Sequence, residues 1–370
     1  MKTRRVRLWL AIGAMLTVAP SVYSQRAVEP RARNIIILFG DGVGLSSVNA
    51  ASILGYGKPQ ALFLQRMPHF ALADTSSTAQ WVTDAGAAAT AMATGRKTAN
   101  RMVSAFATAD AHAGRQPEAK TILDYAEERG LSTGVISDES IVNPLVSAFY
   151  AREDDRNKAG DIFSQLLTPR FGDGIDIAIG PGRKAVMDAL GPRADDLPAA
   201  FAAKQVLLSD SLSALEVVKS QRAVILLDEA GSDLGATVDK VSAKLARNPK
   251  GFFLAVHSDC HLKEAERSLR CVVALDRIAQ AMSERYGRDT LILVTADHAY
   301  ALHTQGQRVS KEAGILSQVV LADEHTGEEV PVFATGPGSA RVQGFVPNTR
   351  VFDWMMQAFG WTSQSPIQAN

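Results

Sequence analysis

The run Asn34-Ile35-Ile36-Ile37-Leu38-Phe39-Gly40-Asp41-Gly42-Val43-Gly44 constrains this chain more than any other stretch. Its consecutive apolar residues, three of them isoleucine, read as a strand buried on both faces, which requires a sheet covered by helices on each side. The run stops at Gly40-Asp41-Gly42, where the chain must turn sharply. Asp41 therefore stands at the carboxyl end of a buried parallel strand, the place where open α/β sheets collect ligands. A carboxylate there is either a hard oxygen ligand carried by a rigid strand or the cap of the next helix.

The same design recurs along the chain. Strand-like runs follow at Gly134–Ser137, Ala178-Ile179, Ala223–Leu227, Phe252–Val256, Leu291–Thr295 and Val330–Ala334. Helical patterns lie between or after them, at Ala119–Arg129, Ala236–Arg247, Arg267–Tyr286 and Val351–Phe359. This alternation predicts an α/β fold, a three-layer α/β/α sandwich with a mostly parallel central sheet. Gly180-Pro181-Gly182 and Gly336-Pro337-Gly338 read as turns, and no composition shift marks a linker, so residues 25–370 read as one domain.

Residues 1–24 are set apart from that domain. Lys2, Arg4, Arg5 and Arg7 precede an apolar run from Leu8 to Ala19, and Val22-Tyr23-Ser24 offers a cleavage site after Ser24. This is the pattern of a secretory signal peptide, and it predicts a periplasmic or secreted protein. No later apolar run approaches the roughly 20 residues that span a membrane. Acidic and basic side chains balance at 39 each, with no basic block, which excludes a nucleic-acid partner. Cys260 and Cys271 could pair in an oxidising compartment or stay apart as buried thiols.

Four further stretches carry donor groups. In Val82-Thr83-Asp84-Ala85-Gly86-Ala87-Ala88-Ala89-Thr90-Ala91-Met92-Ala93-Thr94-Gly95, an alanine-rich helix begins after Asp84, which stands where an N-cap belongs. Free amides at that end suit an anion such as phosphate, or the segment is only a capped, tightly packed helix. Leu291-Ile292-Leu293-Val294-Thr295-Ala296-Asp297-His298 ends a second buried strand in an acid and an imidazole, which together either ligate a metal or form a hydrogen-bonded loop. His257-Ser258-Asp259-Cys260-His261 is dense in donors just past a third strand, and His325-Thr326-Gly327 precedes a fourth. If the strand continued, His257, Asp259 and His261 would share a face. Four of the seven histidines thus sit beside strand ends, which favours a metal site over solvated loops. Imidazole and carboxylate together suit zinc better than magnesium.

Taken together and in this order, these segments resemble the alkaline phosphatase family from about Asn34 to Gly360. The first segment resembles the family's opening strand, the alanine-rich segment its nucleophile helix, and Thr295-Ala296-Asp297-His298 and His325-Thr326-Gly327-Glu328-Glu329-Val330-Pro331-Val332 its later ligand segments. Gly130–Ser137 and Ile177–Lys184 are similar to intervening segments. The resemblance implies two zinc ions, one magnesium and a serine that becomes phosphoserine. It makes Asp41 a bridging ligand, Asp297 and His298 ligands of the zinc beside the nucleophile, His325 a ligand of the other zinc, and Arg156 the phosphate clamp. A phosphate monoester is the implied substrate, and a homodimer the implied assembly.

The departures from the family pattern set further expectations. Ala85 occupies the nucleophile position and has no oxygen to attack phosphorus, so a phosphoserine route is closed, and Thr83 stands two residues away. Leu145 falls on a magnesium-binding threonine and His257 on a magnesium-binding glutamate. Two further ligand positions fall near Leu262 and Glu266, in a stretch shorter than the family's. On this basis the magnesium site is expected to be lost, the zinc centre reduced to one or two ions, and hydrolysis lost or strongly reduced, as in a pseudoenzyme. The alternative is an active hydrolase in which His257, Asp259 and His261 rebuild the metal centre and water attacks directly. A sulfatase relative lacks support, because neither Cys260 nor Cys271 lies in a Cys-x-Pro-x-Arg setting.

Overall fold

The computed structural model describes residues 30–106, 119–217, 222–306 and 314–362, so the signal-peptide segment lies outside the described residues. Its strands are β1 (Asn34–Gly40), β2 (His69–Asp74), β3 (Ser132–Ser137), β4 (Ile177–Gly180), β5 (Val206–Ser209), β6 (Arg222–Leu226), β7 (Phe252–Ser258), β8 (Thr290–Thr295), β9 (Ala299–Thr304), β10 (Val319–Thr326), β11 (Val330–Thr335) and β12 (Gln343–Pro347). Ten of them form one sheet in the order β12-β2-β11-β8-β1-β7-β3-β4-β6-β5. Pairing is parallel throughout except where β11 runs against β2 and β8. β9 and β10 form a separate antiparallel ribbon. Helices cover the sheet in a three-layer α/β/α sandwich, as the alternation of strand and helix patterns predicts.

Core and sheet explain each other. Every residue of β1, β7 and β8 is buried, because helices pack on both faces of the sheet centre. Two long helices, Leu45–Tyr56 and Ala265–Tyr286, pack against each other on one side. The sequence reading finds the buried strands and misses β2, β5, β9, β10 and β12. Those strands lie toward the sheet margins or in the ribbon, where one side is wet. In β12 the first three residues are exposed, so no apolar run marks it.

Expected outcome: Ile36→Ala, at a fully buried position in the central strand, destabilises the fold by about 3 kcal/mol. A shift in the urea midpoint equivalent to less than about 1 kcal/mol would show that β1 is not the centre of the core.

Candidate metal centre

Three neighbouring parallel strands end side by side. Phe39 of β1 is in register with Thr295 of β8 on one side and His257 of β7 on the other. Asp41 directly follows the end of β1, Asp297 follows the end of β8 after Ala296, and His257 is still on β7. Gly42 makes the turn after Asp41 at φ 71°, where an added Cβ would lie 3.1 Å from the Tyr300 Cβ. That turn lets the Gly42 N–H donate to Asp297 Oδ1 at 3.2 Å, while the Asp41 N–H donates to the Ser258 carbonyl at 3.0 Å.

The imidazoles arrive from two directions. His298 immediately precedes β9, and the ribbon brings His325 of β10 opposite Tyr300. The His298 and His325 rings stack with centroids 3.6 Å apart and planes at 20°. His325 Nδ1 lies 3.3 Å from the Thr83 carbonyl, which fits a proton on that nitrogen and leaves Nε2 for a ligand. His261 comes from the loop after β7, its ring edge-on to Tyr300 at 3.9 Å and to His325 at 5.0 Å. Around Asp41 the separations are 3.6 Å to His257 Nε2, 3.7 Å to His298 Nε2 and 3.9 Å to His261 Nδ1.

The described residues thus contain two potential metal-binding groups, His261–His298–His325 and Asp41–Asp297–His298, sharing His298. Within each, the ligand atoms lie within 4.8 Å of one another. Asp41 Oδ1, His257 Nε2, His261 Nε2 and Asp297 Oδ2 are all buried without a hydrogen-bond partner. An unmet buried polar atom costs about 1–3 kcal/mol, so several gathered in one place call for a common partner. Nitrogen and carboxylate oxygen donors at this spacing fit a zinc-like divalent ion.

Electrostatics fit the same partner. Burial works to raise the Asp41 pKa, but the close approach of His257 and the charges of His298 and His261 outweigh it and hold the carboxyl well below the usual range. Burial and the Asp41 charge push Asp297 up to about 6. Burial lowers His261 and His325, which favours the neutral imidazole, the form that can ligate. Burial opposes protonation of His257, yet Asp41, Asp138 and Glu139 raise it to about 9.

Beside these donors begins the helix Ala85–Thr94, capped by Asp84, whose Oδ1 accepts from the Ala87 N–H at 3.0 Å. The other carboxylate oxygen accepts from Arg156 Nη1 at 3.1 Å and from the Arg101 N–H at 3.0 Å. Ala85 is buried at the first helical position, and the Thr83 hydroxyl is turned onto the Asp84 carbonyl. Arg156 is anchored by its backbone, the N–H donating to the Arg101 carbonyl at 2.8 Å.

The structure brings Asp41, Asp297, His298, His325, His257 and His261 together and leaves Asp259 aside. β7 ends at Ser258, so the expected shared face of His257, Asp259 and His261 does not extend along a strand. Asp259 instead donates its N–H to Asp138 Oδ1 at 2.7 Å, and its carboxyl is raised to about 6 by burial and by the charges of Asp41 and Glu139. Leu145 lies fully in the apolar core. Asp138-Glu139 is not among the donor stretches marked in the sequence, although it too follows a strand: Ser137 Oγ, at the end of β3, meets His257 Nδ1 at 2.9 Å, and Asp138 supports the His261 loop by accepting from the Ser258 hydroxyl.

Two expectations are corrected here. A centre reduced by ligand loss, with its magnesium position gone, does not match two complete His/Asp groups, and His261 supplies an imidazole where Leu262 and Glu266 offer none. The expectation of lost or strongly reduced hydrolysis, which rested on Ala85 together with that ligand loss, is overturned by the same two donor groups. The physical reason is the short loop after β7, which brings His261 within 3.9 Å of Asp41 and its ring edge-on to His325.

Fold and donors define a metal-binding α/β/α-sandwich protein. The alkaline phosphatase family model matches residues 32–197 and 228–322, and the chain belongs to that family. It is 26% identical to the alkaline phosphatase of Escherichia coli strain K12 over 417 residues, 89% of this chain and 86% of that one. It is 26% identical to the streptomycin-6-phosphate phosphatase of Streptomyces griseus over 441 residues, 94% of this chain and 95% of that one. The alkaline phosphatase of the Antarctic bacterium TAB5 shares the fold with a TM-score of 0.76 at 23% identity, covering 91% of this chain and all of that one.

Expected outcome: metal uptake weakens as pH falls through about 6, where Asp297 takes up a proton. A raised carboxyl pKa means the proton is held up to that pH, so below it metal must displace a proton at a cost of about tenfold in affinity per pH unit. Zinc titrations between pH 5 and 8 check this, and an affinity flat across that range contradicts it.

Proposed function

We propose that this protein is an active, metal-dependent phosphate-ester hydrolase with a remodelled centre in which water attacks phosphorus directly. The observation that carries the reading is the convergence of buried, unpartnered ligand atoms from Asp41, His261 and Asp297 within the two donor groups that His298 and His325 complete. Bound divalent metal would supply Lewis acidity at a phosphoryl oxygen and lower the pKa of a water. Asp41, Asp297, His298, His261 and His325 would hold it.

The remaining roles follow from the chain's own groups. Arg156 presents a planar guanidinium, steered by Asp84, that can grip two phosphoryl oxygens. The positive end of the helix Ala85–Thr94 favours the anion beside it. Ala85 contributes no nucleophile, so no covalent phosphoenzyme forms and the attacking oxygen comes from solvent. The family assignment supports a phosphate monoester as substrate. The basic-then-apolar N-terminus and the disulfide between Cys260 and Cys271 support export to an oxidising compartment. Among the described residues, no helix is long and apolar enough to cross a membrane.

Expected outcome: zinc-loaded protein hydrolyses p-nitrophenyl phosphate, and dialysis against a chelator abolishes the activity. Asp41→Ala removes it as well, and Arg156→Ala lowers it about 100-fold. Metal-loaded protein that turns over no faster than buffer overturns the reading.

A further inference from the structure

The stretch that carries His261 has no regular structure of its own. It runs from the end of β7 at Ser258 to the start of the helix Ala265–Tyr286. Yet His261 presents a buried Nε2 without a partner and places Nδ1 3.9 Å from Asp41. His298 and His325 are fixed by the β9–β10 ribbon, so they need no such support. His261 must be held by something else.

The residues before it are tied on both sides. Cys260 is disulfide-bonded to Cys271, on the second turn of the following helix, with the two Cα atoms 5.3 Å apart. The Ser268 hydroxyl donates to the Cys260 carbonyl at 2.6 Å, and the Cys260 N–H donates to the Ser258 carbonyl at 3.0 Å. Just past the end of β3, Asp138 accepts the Asp259 N–H at 2.7 Å and the Ser258 hydroxyl at 2.9 Å. His261 is the next residue after this anchored run.

We propose that the Cys260–Cys271 disulfide, with Ser268, positions His261 for metal, so that the three-imidazole group is complete only while the disulfide is intact. The inference rests on the metal reading given above. A free loop must be ordered at the moment of binding, and that entropy is charged against metal affinity. A cross-link next to the ligand, helped by a hydrogen bond to the same residue, removes most of that freedom beforehand. Cys260, Cys271 and Ser268 are positioning residues and touch no metal. The effect is selective: Asp41, Asp297 and His298 sit on strand ends that the disulfide does not hold.

The test is titration of metal-free, full-length protein with Zn²⁺ by calorimetry and with Co²⁺ by absorption. Wild type is compared with the Cys260→Ala/Cys271→Ala variant, His261→Ala and the triple variant. Loss of the disulfide is expected to weaken one site about 10–100-fold, leave the other unchanged, and add nothing in the His261→Ala background. Unchanged affinity at both sites, or a loss that adds fully to that of His261→Ala, overturns the proposal. If the double cysteine variant does not fold, Ser268→Ala decides: it keeps the disulfide and is expected to weaken the same site, and unchanged affinity overturns the proposal. Wild-type protein that takes up no metal overturns the metal reading together with this inference, whereas uptake indifferent to the disulfide overturns the inference alone.

Discussion

The structure depends on one crowded meeting of polar atoms at the level ends of β8, β1 and β7. One carboxylate oxygen each of Asp41 and Asp297 and one ring nitrogen each of His257 and His261 are buried there without hydrogen bonds. Such atoms are expensive in isolation and cheap around a cation. The fully buried strands behind them make the arrangement rigid, because none of the three can slide without moving its neighbours out of register. The fold thus spends core stability on holding a site that is not itself stabilising without a ligand.

Much of this was legible in the sequence. The run Ile35–Phe39 announces a doubly buried strand, and Asp41 and Asp297-His298 mark donors at strand ends, which these stretches by themselves leave open between metal ligands and cap or loop contacts. His257 and His261 were marked by donor density, but their geometry was not legible. A strand-period reading puts Asp259 between them on the same face, whereas β7 stops at Ser258 and Asp259 turns to Asp138. Whether His261 reaches the centre is decided by a loop and a disulfide, which no local pattern encodes. A position-by-position match of ligands to a family pattern therefore fails where the chain has shortened, and that mismatch, together with Ala85, led to the expectation of a spent enzyme.

Ala85 is the departure that stands. It keeps the helix start and the Asp84 cap of a nucleophile segment while removing the nucleophile. The groups around it remain those of a site for phosphate: a guanidinium held by Asp84, a helix N-terminus and two groups of metal donors. Under the proposed reading, a centre with these donor groups, once loaded with metal and lacking a covalent acceptor, would transfer the phosphoryl group in one step, to water.

That claim has a stereochemical consequence. A single in-line displacement inverts configuration at phosphorus, whereas passage through a phosphoenzyme displaces twice and restores it. The most direct measurement is hydrolysis of a phosphorothioate monoester made chiral by its sulfur and two oxygen isotopes, by zinc-loaded protein in water that carries the third oxygen isotope. Inversion is the predicted result. Net retention would require a covalent acceptor that the site as described does not contain, and would contradict the account.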